Sequence, residues 1–263
     1  MRILVANDDG ADAPGLRLLA QAASALGSDV WVVAPDRKWT AAGHQLSFDR
    51  DLSLTTVSEH RYVCSGAPAD CIIAAMTILF ADGPKPDLVL AGVNDKRNVG
   101  EDLAYSGTIA IAREATFWGV PAISLSRADG AVEAPTDLDA LRRLLLVLWH
   151  GRAQWSGDGS WLSINLPARL PAPLAQARTG RDKIGAAVDV LETTTGRVRY
   201  RLRRGRSGTT GAGDENARLA AGQISVIRYC WFEENPLAET ILDEWRSALG
   251  PALPGPGGRA VLK

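Results

Sequence analysis

The sequence predicts an α/β protein: a parallel sheet flanked by helices, followed by a C-terminal extended β arm and a terminal helix. Short apolar runs at residues 2–6, 29–34, 87–92 and 120–126 alternate with segments whose apolar residues recur at helical spacing. That order builds right-handed crossovers between parallel strands. The composition agrees, since 263 residues with 46% hydrophobic and 22% charged side chains can bury a full core.

The elements follow in order. Residues 2–6 form a buried strand, and 14–26 carry Leu and Ala at helical spacing with Pro14 in the first turn. After the strand at 29–34, Pro35 and Asp36 open a long loop. Residues 52–57 and 61–64 read as a short extended pair, and 68–80 as a helix with Asp70 in its first turn. The strand at 87–92 leads through another loop to a helix at 108–118 and a strand at 120–126. An amphipathic helix at 136–150 and a strand at 161–165 complete a catalytic core expected to span residues 1–170, closed by a proline-rich connection. Residues 171–250 read as an extension for oligomerisation, with extended segments at 197–202 and 223–229 and a helix at 237–249 packing on the core. Within it, the glycine-rich basic stretch 203–213 reads as a solvated, mobile loop, and the Pro/Gly-rich 251–263 as a flexible tail.

Several classes are disfavoured. A net charge of −1 gives no long-range attraction for duplex nucleic acid or an anionic membrane, so phosphate recognition must be local. No apolar run has the length of a membrane span, and no charged-then-apolar leader precedes the first strand, so a cytoplasmic protein is expected. Cys64, Cys71 and Cys230 lack the spacing of a zinc site or a disulfide framework. Neither a Walker A sequence nor a GxGxxG follows the first strand.

The chemistry begins at Asn7-Asp8-Asp9-Gly10, where the first strand runs into two adjacent carboxylates. Such residues suit a polar turn, but carboxylate oxygens are also the ligands Mg²⁺ and Mn²⁺ prefer, and open α/β sheets bind ligands beyond the carboxyl ends of their strands. Asn94 ends the strand at 87–92 and offers an amide oxygen as a third, neutral ligand. Ser106, Gly107 and Thr108 stand where a helix begins, so that free N–H groups, two hydroxyls and the helix dipole either cap the helix or cradle an anion. The loop after the second strand supplies a hydroxyl at Thr40, a cation pair at Arg37 and Lys38, and His44. Thr40 would complete a coordination sphere, and His44 would protonate a leaving oxygen near neutral pH. Asp8 or Asp9 would serve as general base, or as nucleophile in a competing phospho-aspartate route.

These pieces occur within a larger set: NDDG with APG at 13–15, APDR at 34–37, GAPADC at 66–71, GVN at 92–94 with NVGED at 98–102, and YSGT at 105–108. In their order and spacing across residues 1–126 they resemble SurE, the family of metal-dependent survival-protein nucleotidases. The resemblance implies a Rossmann-like fold and hydrolysis of nucleoside 5′- or 3′-monophosphates with one divalent cation, Mn²⁺ or Mg²⁺, per subunit. It also implies a homodimer or homotetramer that exchanges a C-terminal arm. By motif position, Asp8, Asp9, Asn94 and Thr40 would hold the metal, and Ser106, Gly107, Thr108, Asn94 and Asn98 the phosphate end of the substrate.

The chain departs from the family pattern at several places. The usual SGxSN reads Thr40-Ala-Ala-Gly-His44, so a ligand hydroxyl gains a methyl and an asparagine becomes His44. Where small residues usually follow the metal asparagine stand Asp95, Lys96 and Arg97, and the two cations are candidate substrate contacts. The usual SITPL strand reads Ser225-Val-Ile-Arg-Tyr229. Two alternatives stay open: a phosphatase dedicated to a specialised phosphorylated metabolite, and a non-catalytic nucleotide- or phosphate-binding protein.

Overall fold

The structure, a computed structural model, describes residues 1–128, 135–185, 187–203, 205–206, 208–233 and 236–249. The chain divides into two compact units, residues 1–231 and 232–263.

The first unit is organised on a mostly parallel sheet. Strand β1 (Arg2–Ala6) leads into helix α1 (Pro14–Ala23), then β2 (Asp29–Pro35), β3 (Leu54–Ser58), β4 (Arg61–Cys64) and helix α2 (Pro68–Ala74). Next come β5 (Leu88–Asn94), the short helix α3 (Asp102–Tyr105), α4 (Gly107–Phe117), β6 (Ala122–Arg127), α5 (Pro135–His150) and β7 (Ser160–Leu166). The remainder carries β8 (Leu174–Gln176), β9 (Ala187–Thr194), β10 (Arg197–Arg203), α6 (Glu215–Ala220) and β11 (Ile224–Cys230). In the second unit, the described residues include helix α7 (Glu239–Leu249).

Nine strands form one sheet in the order β3-β4-β2-β1-β5-β6-β7-β11-β8, and β9 with β10 form a separate hairpin. From β2 to β7 every central pairing with β1, β5 and β6 is parallel, whereas β3 and β11 run antiparallel to β4 and β7. Strand β1 lies between β2 and β5, so the chain first moves to one side of β1 and later crosses to the other. The β1–β5 boundary is therefore the switch point at which doubly wound sheets open a binding crevice.

Side-chain alternation along each strand fills two separate cores. Ile3 and Val5 pack with Leu16, Leu19, Leu90, Ile123 and Leu141, against α1 and α5. Leu4 and Ala6 point the other way and pack with Ile72, Val89, Ile109, Ile111 and Ala115, against α2 and α4. The result is a sheet between two helical layers. Helix α1 presses on β5 so closely that a Cβ at Gly15 would stand 2.0 Å from the Val93 carbonyl oxygen.

Some expectations change. The helix expected at 68–80 becomes π-helical over Ala75–Leu79. Strand β8, β9 and helices α3 and α6 add elements not anticipated. Strands β8 and β11, from the stretch read as an extension, lie in the main sheet. In the basic stretch read as solvated, Arg206 is instead half-buried and ion-paired with Asp102 and Asp182, because those carboxylates are nearly shut off from water and require a cation. The tail at 251–263 lies outside the described residues. Among the described residues no helix is long and apolar enough to cross a membrane.

Candidate active site

The site is built at the switch point. Ala6 of β1 pairs with Ala91 of β5, which brings Asp8 and Asp9, just beyond β1, beside the end of β5 at Asn94. The Asp95 N–H donates to Asp9 Oδ2 at 3.2 Å and ties the two strand ends together. Strand β5 bulges before Asn94, and Gly92 there has φ +122°; a Cβ at this residue would stand 2.2 Å from the Leu125 carbonyl oxygen. Only glycine meets both demands, and the bulge re-aims Asn94 at the sheet's end.

Asp8 is buried and accepts a hydrogen bond from the Thr108 hydroxyl. Its carboxyl is pushed up to about 7, first by burial and further by the charge of Asp9, with the Thr108 hydrogen bond acting in opposition. Helix α4 begins directly over this carboxylate. Ser106 caps it, with Oγ accepting from the Ile109 N–H at 3.1 Å. A Cβ at Gly107 would stand 2.7 Å from Asp8 Cβ and 2.9 Å from Pro68 Cγ, so only glycine lets the helix start come this close. The first N–H groups of a helix have no intrahelical acceptor, and here they lie beside Asp8.

Asp9 faces a different partner. Its Oδ1 is shut off from solvent and makes no hydrogen bond of good angle, yet Lys38 Nζ stands 2.5 Å away. Lys38 also reaches Asp95 Oδ2 at 2.7 Å. Burial opposes its charge, but its close contacts with the charged Asp9 and Asp95 carboxylates hold the ammonium above its ordinary value. The loop that delivers Lys38 is anchored by the Trp39 N–H, which donates to the Asp8 carbonyl at 2.8 Å. Thr40 follows that anchor and is exposed.

The other expected residues divide. Asn94 Nδ2 donates to the Lys96 carbonyl at 2.6 Å, and no hydrogen bond among the described residues engages its Oδ1. Asn98 donates from its N–H to Asn165 Oδ1 at 2.8 Å and from Nδ2 to Ser126 Oγ at 2.7 Å, which pins its loop to the ends of β6 and β7. Lys96 is exposed. Arg97 turns to Asp182, 3.5 Å away, and its carbonyl accepts from Arg206. His44 Nε2 is 2.8 Å from Glu114 Oε2, and its ring stacks on Phe117 at 5.6 Å between centroids. Glu114 also accepts from Trp118 Nε1 at 2.9 Å. It lies six residues beyond Thr108 on α4, about 9 Å further along the axis. His44 is thus committed to a contact between its loop and α4. Sequence reasoning gave no role to Lys38 or Glu114; the cation pair of the loop was visible, but its partners are set by tertiary distance.

The donor set suits a hard divalent cation. Among the described residues no group of three or more His, Cys, Asp or Glu side chains forms a metal cage. Two carboxylates and an amide oxygen at neighbouring strand ends instead offer oxygens while leaving positions for water and phosphate. The buried Asp9 Oδ1, without a hydrogen bond and in contact with an ammonium, is an oxygen that calls for positive charge.

The model of the family described as Survival protein SurE matches residues 3–186. The chain is 38% identical over 240 residues to a protein named 5′-nucleotidase SurE from Azorhizobium caulinodans, covering 86% of this chain and 91% of the relative. It is 40% identical over 198 residues to a protein of the same name from Paramagnetospirillum magneticum, covering 70% and 72%. The crystal structure of SurE protein from Aquifex aeolicus superposes with a TM-score of 0.75 at 26% identity, over 95% of this chain and 99% of that one. The family match spans β1 to β8, the switch point and the start of α4 together, and the chain belongs to the SurE family.

Proposed function

We propose that the chain is a divalent-cation-dependent phosphomonoesterase that hydrolyses nucleoside 5′- or 3′-monophosphates to nucleoside and phosphate. The observation that carries this reading is the meeting of Asp8, the first of the acidic pair, with the start of α4 at Gly107 and Thr108, which sets an acidic cation site against an anion site. The substrate class is that named for the relatives, 5′-nucleotidases. Asp8, Asp9, Asn94 and Thr40 would hold the cation, and hard oxygen donors favour Mn²⁺ or Mg²⁺. When bound, it supplies positive charge to a phosphoryl oxygen and acidifies water.

The chain's own residues do the rest. The N–H groups at Gly107 and Thr108 and the dipole of α4 receive the remaining phosphoryl oxygens. Water attacks phosphorus, the phosphorus–oxygen ester bond breaks, and the nucleoside oxygen leaves and takes up a proton. The carboxylates of Asp8 and Asp9 are at hand to accept the proton of the attacking water. Asn98 holds the loop after Asn94 to β6 and β7, and His44 with Glu114 holds the Lys38–Thr40 loop to α4. Exposed Lys96 at the rim supports a second reading, in which the preferred ester is a more anionic, specialised metabolite.

The test is phosphate release from a panel of nucleoside monophosphates and an aryl phosphate, with Mn²⁺, with Mg²⁺ and with a chelator. Cation-dependent release from several nucleotides is the expected result. Release from the aryl phosphate alone would favour the specialised phosphatase, and no release despite cation binding would favour a binding protein.

The β9–β10 hairpin supports a homodimer or homotetramer built through this arm. Its pairing stacks Tyr200 opposite Val190 and Leu202 opposite Val188, giving one apolar face on which all four are exposed. The other face carries the ion pairs Arg203–Asp189 and Arg199–Glu192. A lone two-stranded ribbon is marginal in water, and an exposed apolar face of this kind is buried by a partner. Replacing residues 187–203 with a short Gly/Ser linker is expected to yield monomers by light scattering, from an oligomeric parent; a monomeric parent would overturn the arm's role. The free cysteines Cys64, Cys71 and Cys230 support action in a reducing compartment, the cytoplasm.

A further inference from the structure

Lys38 contacts two carboxylates that differ sharply in environment. Asp9 is enclosed, with its side chain 8% exposed, whereas the Asp95 side chain is 56% exposed. Both contacts are short, 2.5 and 2.7 Å, and the two acids are joined through the Asp95 N–H on Asp9 Oδ2. On Asp9, however, the ammonium meets an oxygen without forming a well-angled hydrogen bond, whereas its contact with Asp95 is a full one. An ammonium is a compact, hydrated point charge on a flexible stem, so it can leave one carboxylate while keeping the other. The Lys38 side chain is itself 46% exposed, which gives it room to swing.

We propose that Lys38 is a built-in competitor of the divalent cation for Asp9, and that Asp95 is the seat to which its ammonium withdraws when the cation binds. This rests on the reading of Asp9 as a cation ligand. Asp95 is then a positioning residue: it acts through Lys38 and lowers the cost of vacating Asp9. Like charges crowding one carboxylate exclude each other, so a cation entering beside Asp9 must displace the ammonium or bind weakly. With Asp95 in place the positive charge moves by the length of a side-chain swing and remains paired.

The test is Mn²⁺ affinity, measured by titration calorimetry on the full chain for the parent, Lys38→Met, Asp95→Asn, the double variant and Asp9→Asn, with circular dichroism as a check on folding. Lys38→Met is expected to tighten Mn²⁺ binding by roughly twofold to fivefold. Asp95→Asn is expected to weaken it by about the same factor, because the ammonium falls back on Asp9. In the Lys38→Met background Asp95→Asn should have little effect, since no ammonium remains to be seated. Affinity unchanged or weaker in Lys38→Met would overturn the competition. An equal loss from Asp95→Asn in both backgrounds would show that Asp95 acts by its own charge and overturn its role as a seat. Undiminished binding in Asp9→Asn would instead remove Asp9 from the cation site, a failure of the functional reading rather than of the exchange.

Discussion

Asp8→Asn is expected to abolish phosphate release and, in the cation-free protein, to raise stability at pH 8. The two effects have one origin. Asp8 titrates near 7 in the folded chain, against an ordinary value of 3.8, because burial and then the neighbouring Asp9 disfavour its charge. Below pH 3.8 the carboxyl is protonated in the folded and unfolded chains alike, and no penalty exists. Between 3.8 and about 7 the unfolded chain has released the proton while the folded chain keeps it, so stability falls as pH rises. Above about 7 the full penalty applies, on the order of 4 kcal/mol. Asparagine carries no charge to bury and can still accept from Thr108. Urea unfolding in the presence of a chelator, at pH 5 and pH 8, should show the parent losing stability between the two and Asp8→Asn holding steady. A variant less stable than the parent at pH 8 would mean that Thr108 and Lys38 already favour the ionised form. Turnover should fall by on the order of a thousandfold, as when a preorganised electrostatic group is lost; parent-like turnover would remove Asp8 from the site.

Gly107→Ala is the second large effect. The added Cβ would lie 2.7 Å from Asp8 Cβ and 3.0 Å from its Oδ2, with Pro68 Cγ at 2.9 Å on the other side. Neither neighbour has room to retreat: Asp8 is buried at the end of β1, and Pro68 opens α2. The helix start must lift away. Overpacking of this kind costs about 1–3 kcal/mol of stability. Displacing the N–H groups by an ångström is enough to lower turnover by about a hundredfold. The expected signature is a folded protein with a reduced melting temperature, near-parent Mn²⁺ affinity and a collapsed kcat. Parent-like kcat would show that the α4 start does not hold the phosphate.

The frame of this protein was legible because its central strands are buried on both faces and read as unbroken apolar runs: β1, β5 and β6 have scarcely an exposed residue. The adjacency of Asp8 and Asp9 beyond such a run, with Asn94 ending another, pointed to the carboxyl ends of these strands; that they flank the switch point follows only from the strand order. The elements that escaped are those with no core of their own to face. Strand β9 alternates apolar and polar residues but every position save one is exposed, so its apolar side is aimed away from the fold. Strand β8 and helix α3, with 3 and 4 residues, are too short to show a period. At the site, the sequence supplied types of residue but not their partners. Arg97 read as a candidate substrate contact and Arg206 as part of a solvated loop; the structure commits both to Asp182, a carboxylate 85 positions from the first. His44 had an imidazole's chemistry but is held by Glu114, which no local pattern relates to it.

The missing side chain at Gly15 has a consequence for how this protein can change. With the helix backbone resting on the Val93 carbonyl, the strand that ends in Asn94 has no slack against the layer behind it. The spacing between the acidic pair and the amide is therefore a property of backbone against backbone, insensitive to what the surrounding loops carry. Exposed Lys96, whose side chain is neither a proposed cation ligand nor paired with a buried group among the described residues, can drift in charge and size, and substrate preference with it, while that spacing is inherited unchanged. Efforts to redirect this chain toward other phosphate esters should vary that rim position and leave 15, 92 and 107 alone, treating the three glycines as the fixed jaw of an adjustable tool.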